Sequence, residues 1–477
     1  MAPLKKLSFL SILQRRRTHF MFTTFLALFS LLILRNSSIT PKSLTSITYS
    51  TSPSVSSATF HLLSATNYIS SLSSINTNHE NTHDQNGSIL VDPPGPTKYG
   101  SQFANNFTSV QRNTGEKDRR FDKTKKDSCD IFDGKWVLDD SDPIYSPGSC
   151  PFLDYTFNCF NNGRSDLGYL SYKWQPNGCD IPRFDGRKML DMLRGKRMVF
   201  VGDSLNRNMW QSLICSLRMS LVDKKRMVEV SQVRKFRTEG FYSFKVKDYN
   251  CTIEFIRSPF LVQEWKVPSI KGGAKRREML RLDLIQATTS KYHDADFLIF
   301  NTGHWWTHHK TRNGKNFFLE GNFVHSELNV TEAYTKALKT WAKWVDKNVN
   351  KKKTQVFFAG YSASHFRGGQ WNSGGNCDGE TEPIRNDTHL APYPWMMKIL
   401  ESMISEMKTP VVYLNITKMT GYRKDAHPSI YRQPGTRRRH GMIQDCSHWC
   451  LPGVPDSWNH LLYASLFMSS QSSIRTQ

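Results

Sequence analysis

Two short blocks, far apart in the chain, carry residue types that could do chemistry together. The first lies in Lys196–Trp210, which reads KRMVFVGDSLNRNMW. An apolar run ends there in Gly202-Asp203-Ser204, and a helical pattern begins near Leu205. A serine at a strand-to-helix turn exposes its Oγ at the carboxyl edge of a sheet, with helix amides behind it to stabilise an oxyanion. Gly202 spares the tight turn a Cβ clash. The second block is Asp445-Cys446-Ser447-His448-Trp449-Cys450. An aspartate three residues before a histidine can accept from the imidazole Nδ1–H, which fixes the tautomer and leaves Nε2 to take a proton from Ser204. The chemistry expected of the set is acyl transfer through a covalent acyl-serine. Each block alone has a bland reading, a common turn and a disulfide-held surface loop.

Other chemistries find less support. His304 and His365 have no carboxylate cluster for a metal, and no CxxC…CxxC zinc spacing occurs. No metal and no Rossmann-type nucleotide site is expected. Candidate oxyanion donors are the Ser204 amide, Arg207, Asn208 and the Asn301–Gly303 turn at another strand end. Trp305, Trp306, Trp371 and Trp449 could stack on sugar faces, the alternative for each being core packing.

These residues need a scaffold. Short apolar runs at Met198–Val201, Phe297–Phe300, Gln355–Ala359 and Val411–Leu414 read as buried parallel strands. Helical spacing covers Leu205–Leu217, Ala333–Val349 and Trp395–Met407, and a shorter helix is expected at Phe184–Leu193 with Asp185 as N-cap. The tryptophan stripe of the second, with Trp341 and Trp344, reads as core packing. Phe236–Trp265 alternates apolar and polar residues and predicts an antiparallel hairpin inserted into the α/β pattern. Cys129–Cys179 is dense in Gly, Pro, Asn, aromatics and Cys and predicts a loop-rich, disulfide-tied subregion. The expected fold is α/β, a three-layer sandwich around a mostly parallel sheet, over residues 126–470.

The rest of the 477-residue chain places that domain. Lys5, Lys6 and Arg15–Arg17 precede the apolar run Phe20–Leu34. Residues 1–17 read as a cytosolic tail, 18–35 as a retained signal-anchor and 36–125, rich in Ser, Thr and Asn, as a flexible stem. The run spans roughly 22 Å, short even for a thin early-secretory bilayer, which favours the Golgi or endoplasmic reticulum. All nine cysteines follow residue 128, and sequons stand at Asn36, Asn86, Asn106, Asn250, Asn329, Asn386 and Asn415. Both fit an oxidising lumen. The formal charge of +23 suggests a polyanionic neighbour, with clusters at Lys271–Arg277, Lys351–Lys353 and Arg437–Arg439. Of the polyanions such a charge suggests, nucleic acid, anionic lipid and acidic polysaccharide, luminal placement argues strongly against nucleic acid.

Longer blocks make the assignment specific. Gly202-Asp203-Ser204 followed by Leu-Asn-Arg-Asn, Asn301–Trp306, His365–Cys377 and Asp445–Asp456 together resemble the trichome birefringence-like family of plant proteins, over about Cys129 to residue 468. One departure is Gly360-Tyr361-Ser362-Ala363, where many members have Arg-Thr and a Ser-Pro; that loop is expected to shape acceptor choice. The resemblance implies an SGNH/GDSL-hydrolase-like fold and transfer of O-acetyl groups onto cell-wall polysaccharides in the Golgi, from an acetyl donor of unknown identity. It makes Ser204 the nucleophile, His448 the base, Asp445 its orienting acid and Asp203 a support of the turn. It also implies disulfides Cys129–Cys179, Cys150–Cys215, Cys159–Cys450 and Cys377–Cys446, with Cys251 left over. Competing expectations are a polysaccharide acetylesterase and a non-catalytic protein that bridges pectin or another wall polysaccharide.

Overall fold

The computed structural model describes residues 129–231, 240–267, 277–435 and 441–475. The apolar run Phe20–Leu34, the Ser/Thr-rich stretch after it and most of the basic clusters at 271–277 and 437–439 lie outside the described residues. Among the described residues, no helix is long and apolar enough to cross a membrane.

The central layer is a seven-stranded sheet. Its strands are β3 (Arg197–Gly202), β4 (Met227–Glu229), β5 (Phe241–Val246), β6 (Cys251–Arg257), β9 (Phe297–Phe300), β12 (Gln355–Ala359) and β13 (Val411–Leu414), in the order β13-β12-β9-β3-β6-β5-β4. The five from β13 to β6 run parallel, and β5 and β4 close one edge antiparallel. β3 lies at the centre, so its carboxyl end is flanked on both sides. The four parallel runs read from sequence are all strands of this sheet. The Phe236–Trp265 region does hold a hairpin, β5–β6, with a correction: β6 pairs directly with β3, so the hairpin extends the main sheet.

Alternation along β3 explains the three layers. Met198 and Phe200 point to one side, Val199 and Val201 to the other, all at 0 % exposure. The first side packs against α1 (Gly186–Met192), α2 (Ser204–Met219) and α6 (Val454–Arg475), through Leu190, Met209, Leu213 and Trp458. On the second side lie α3 (Val330–Asn348) and α4 (Trp395–Glu406), through Leu338, Trp341, Val345 and Leu400. A one-turn helix, α5 (Thr417–Gly421), follows β13. Helix starts follow local chemistry: Asp185 accepts from the amides of Arg187 and Lys188, and Asn329 from that of Thr331.

Two elements were not expected from sequence. A second sheet contains β7 (Val262–Val267), β8 (Arg277–Ile285), β10 (Phe318–Glu320) and β11 (Phe323–Val324), in the order β11-β10-β8-β7. Helix α6 also escaped the periodicity reading, because buried residues lie all round it (Trp458, Leu461, Leu462, Tyr463, Ala464).

The Cys129–Cys179 subregion contains an antiparallel pair, β1 (Gly134–Leu138) and β2 (Tyr172–Pro176), among turns. The structure pairs Cys129 with Cys179, Cys150 with Cys215, Cys159 with Cys450 and Cys377 with Cys446, and Cys251 is free and buried.

Candidate active site

Ser204 is built by the β3–α2 turn. Asp203 leaves the strand in an extended conformation and caps α2, its Oδ1 accepting from the Leu205 amide at 2.9 Å. Ser204 is the first helical residue, so its N–H has no intrahelical acceptor and points with the positive end of the helix dipole. Gly202 matters for closeness: a Cβ there would sit 1.8 Å from Asn301 Oδ1. That approach lets Asn301 accept from the Asp203 amide at 2.9 Å and donate to Asp203 Oδ1 at 2.8 Å.

His448 arrives from a loop that precedes α6. Its Nε2 lies 2.7 Å from Ser204 Oγ, and its Nδ1 lies 3.0 and 2.9 Å from the two oxygens of Asp445. The Asp445 carboxylate also accepts from the His448 amide at 3.1 Å, which ties ring and backbone to one group. Burial raises the Asp445 pKa, but the His448 imidazole and its hydrogen bonds outweigh it and hold the carboxyl below its ordinary range. With Asp445 ionised, Nδ1 keeps its proton and Nε2 accepts from the serine hydroxyl. Cys446 and Cys450, either side of His448, are disulfide-bonded to Cys377 and Cys159.

The side chains read from sequence divide once placed. Arg207, one turn beyond Ser204, lines the same cavity, with Nη1 3.2 Å from Asp154 Oδ2. Asn208 does not face that cavity. It is fully buried, accepts from the Trp449 amide at 2.8 Å and donates to the Trp449 carbonyl at 3.2 Å, clamping α2 to the histidine loop. Asn301 is likewise engaged, by Asp203, and Gly303 lies under the Tyr361 ring at φ +156°. Neither lines the cavity, so of the expected oxyanion donors Ser204 and Arg207 are the ones presented to it. Asp203 supports the turn and faces His304 Nδ1 at 3.4 Å.

The tryptophans need correcting too. Trp306 and Trp449 are 2 % and 0 % exposed, with Nε1 donating to Thr302 Oγ1 and Ser362 Oγ. They pack the interior and cannot stack on a sugar. Trp305 and Trp371 are half-buried and flank Lys310, whose Nζ lies 4.6 Å and 4.3 Å from their ring centroids. The Gly360–Ala363 loop braces the site from behind: Tyr361 stacks on His304 at 4.3 Å and the Ser362 carbonyl accepts from His304 Nε2 at 2.8 Å. It does not line the cavity, so an influence on acceptor choice would be indirect.

Ser204 opens into a cavity of about 1290 Å³ that runs past Arg207, Arg257, Trp305, Lys310 and Arg312 to Trp265 and Lys266 of the second sheet. Burial lowers the Lys310 pKa. Sequence reading missed Asp154 and Lys310, although the flanking Cys150 and Cys159, tied to Cys215 of α2 and Cys450 of the histidine loop, mark the Asp154 segment as close to both. Among the described residues, no group of three or more His, Cys, Asp or Glu is arranged to hold a metal ion.

An SGNH-like fold agrees with comparison to known proteins. Residues 181–465 match the PC-esterase family, a GDSL/SGNH-like acyl-esterase family found in Pmr5 and Cas1p, and residues 127–180 match the PMR5 N-terminal domain. Protein trichome birefringence-like 4 of Arabidopsis thaliana is 57% identical over 430 residues, 89% of each chain. Protein trichome birefringence-like 1 of the same plant is 57% identical over 345 residues, 72% of this chain and 62% of that one. Protein trichome birefringence is 56% identical over 354 residues, 73% of this chain and 58% of that one, so this chain spans less than two thirds of the latter two.

Proposed function

This chain belongs to the trichome birefringence-like proteins of the PC-esterase family, acyl-ester enzymes, and from that premise we propose that it transfers O-acetyl groups onto hydroxyls of cell-wall polysaccharide. The observation that carries the reading is the unbroken hydrogen-bonded line from Ser204 Oγ through His448 to Asp445, at one end of a long aromatic and cationic cavity.

In this reading Ser204 Oγ attacks the acetyl carbonyl of a donor while His448 Nε2 takes the hydroxyl proton. Asp445 stabilises the imidazolium and keeps its orientation. The oxyanion is stabilised by the Ser204 amide and the Arg207 guanidinium, which Asp154 aims. The imidazolium returns the proton to the departing donor group, leaving acetyl-serine. A sugar hydroxyl then loses its proton to His448 and attacks the acetyl carbonyl, and Ser204 is regenerated. The half-buried Trp305, which lines the same cavity as Ser204, supports a stacked sugar ring, and Lys310 and Arg312 suit an acceptor with carboxylates. The apolar run Phe20–Leu34 supports a type II Golgi membrane protein with its domain in the lumen.

Purified protein given an acetyl donor with deacetylated xylan, mannan and pectin tests this. Acetylated polymer is expected with at least one acceptor, and its loss in Ser204→Ala. Acetate released with no polymer acetylated would make the protein an esterase. Polymer bound equally by wild type and Ser204→Ala, with no acetyl chemistry, would leave a wall-binding protein.

A further inference from the structure

Behind the His448 loop, outside the acyl-transfer line, two more imidazoles meet. His427 Nδ1 lies 2.6 Å from the carbonyl oxygen of His448, and His365 Nε2 lies 2.9 Å from that of Gly421 in α5. The rings touch each other through His365 Nδ1 and His427 Nε2, at 2.7 Å. A carbonyl oxygen only accepts, so each outer contact needs an N–H, and the ring-to-ring contact needs one proton as well. Two neutral imidazoles bring two protons to three contacts.

We propose that His365 and His427 share a third proton and, in that state, brace the main chain at His448. When the proton leaves to solvent, one contact becomes two facing lone pairs and the brace loosens. His427 and His365 would then be positioning residues that act through the backbone of His448. The effect on turnover rests on the acyl-transfer reading; the proton count does not.

The surroundings are compatible with a charge there. His427 stacks on Trp449, centroids 4.2 Å apart at 27°, an arrangement that favours an imidazolium over an indole face. From the segment of His427 come Asp425, gripped by Arg423, and Lys424. Asp445 and His448 face it from the catalytic loop. From the His365 side comes Glu380, paired with Lys424 and Arg367, and from the disulfide-tied subregion Arg164, which donates to the His427 carbonyl at 3.0 Å. Burial pulls both imidazoles down, His427 well below its ordinary value, where the charge of His365 adds to burial. The third proton therefore leaves on the acid side of an ordinary histidine, and the brace is complete only in an acidic solution.

Uniform ¹⁵N labelling of the full chain, read at the histidine rings and the backbone amides and titrated from about pH 8 to about pH 4 across the histidine range, tests the count directly. Variants His365→Asn and His427→Asn assign the signals. One proton is expected to arrive at both rings in a single step, with the Trp449 amide shifting in that step. Two separate titrations, or two neutral rings throughout, would overturn the proposal, and neither result depends on acetyl transfer. His365→Gln supplies an uncharged N–H to His427 Nε2, so it should brace the loop without the extra proton. Its transfer rate relative to wild type is expected to climb about tenfold as pH rises through the step. A ratio that stays flat with pH would deny the brace, whereas transfer that survives Ser204→Ala would sink the acyl-transfer reading and leave the titration standing.

Discussion

Ser204 and His448 meet at 2.7 Å, yet the two regions that deliver them are held by different means. Ser204 stands where its own neighbours put it: a central strand, a capping aspartate and the first turn of a sixteen-residue helix. Almost every backbone group near it belongs to a regular element. The segment from Ala426 to Gly453 has no α-helix and no strand among its described residues, only short 3₁₀ turns and an isolated bridge. Ordering such a stretch costs about 1–2 kcal/mol per residue in backbone entropy, and little regular hydrogen bonding offsets it. Long-range ties do so instead: Cys446 to Cys377, Cys450 to Cys159, Trp449 to Asn208, and the Ser429–Asp445 backbone bridge. A nucleophile can be local, whereas the base that serves it has to be brought in.

That contrast can be broken in graded steps. Ser204→Ala should lower acyl transfer by on the order of 10⁴-fold or more with the melting temperature nearly unchanged. Asp445→Asn should lower it by on the order of 10⁴-fold with a loss of melting temperature as well, because the carboxylate also holds the His448 ring and amide. An Asp445→Asn protein that keeps most of its rate would separate the aspartate from the imidazole's function.

Opening a loop tie should act the other way. Cys159→Ser with Cys450→Ser is expected to cost about 2–5 kcal/mol of stability, and protease cleavage should begin within 426–453 before it reaches α2. Cleavage that starts in the nucleophile helix would reverse the comparison.

Asp456 joins the two regions, and its effect is set by pH. It stands in the first turn of α6, accepts from Ser212 of α2 at 2.5 Å and from the Gly453 amide at 2.6 Å, and burial raises its pKa to about 6. A carboxyl raised in the fold binds its proton more tightly folded than unfolded. Its contribution is complete below the unfolded value near 3.9 and lost as pH rises through about 6. Wild type should therefore lose roughly 2–3 kcal/mol between pH 4 and pH 7 from this group, and Asp456→Asn should show a flatter melting-temperature profile. An unchanged profile would remove Asp456 as the source.

Asn208→Ala gives the smallest effect, about 1–3 kcal/mol for the two hydrogen bonds to the Trp449 backbone. The substitution should lower the transfer rate and raise the amide exchange rate at Trp449 together. If only exchange changes, the clamp is structural and His448 is held without it.

Much of this molecule was open to a reader of the sequence. The four apolar runs became parallel strands because side chains of a strand covered on both faces must all be apolar, and Asp185 announced its helix by capping it. Asp445 and His448 are three residues apart, so their pairing is nearly a local matter. The second sheet was beyond that reach: β10 has three residues and β11 two, too short to show a period, and β8 pairs with β10 across more than thirty residues. Only the folded chain decided that Asn208 grips a backbone 241 residues away, that Trp306 and Trp449 are interior while Trp305 faces the cavity, and that His365 finds His427. A side chain's type and its near neighbours fix what it can do. What it does depends on which distant surface excludes water from it, and that is a property of packing that no stretch of sequence contains.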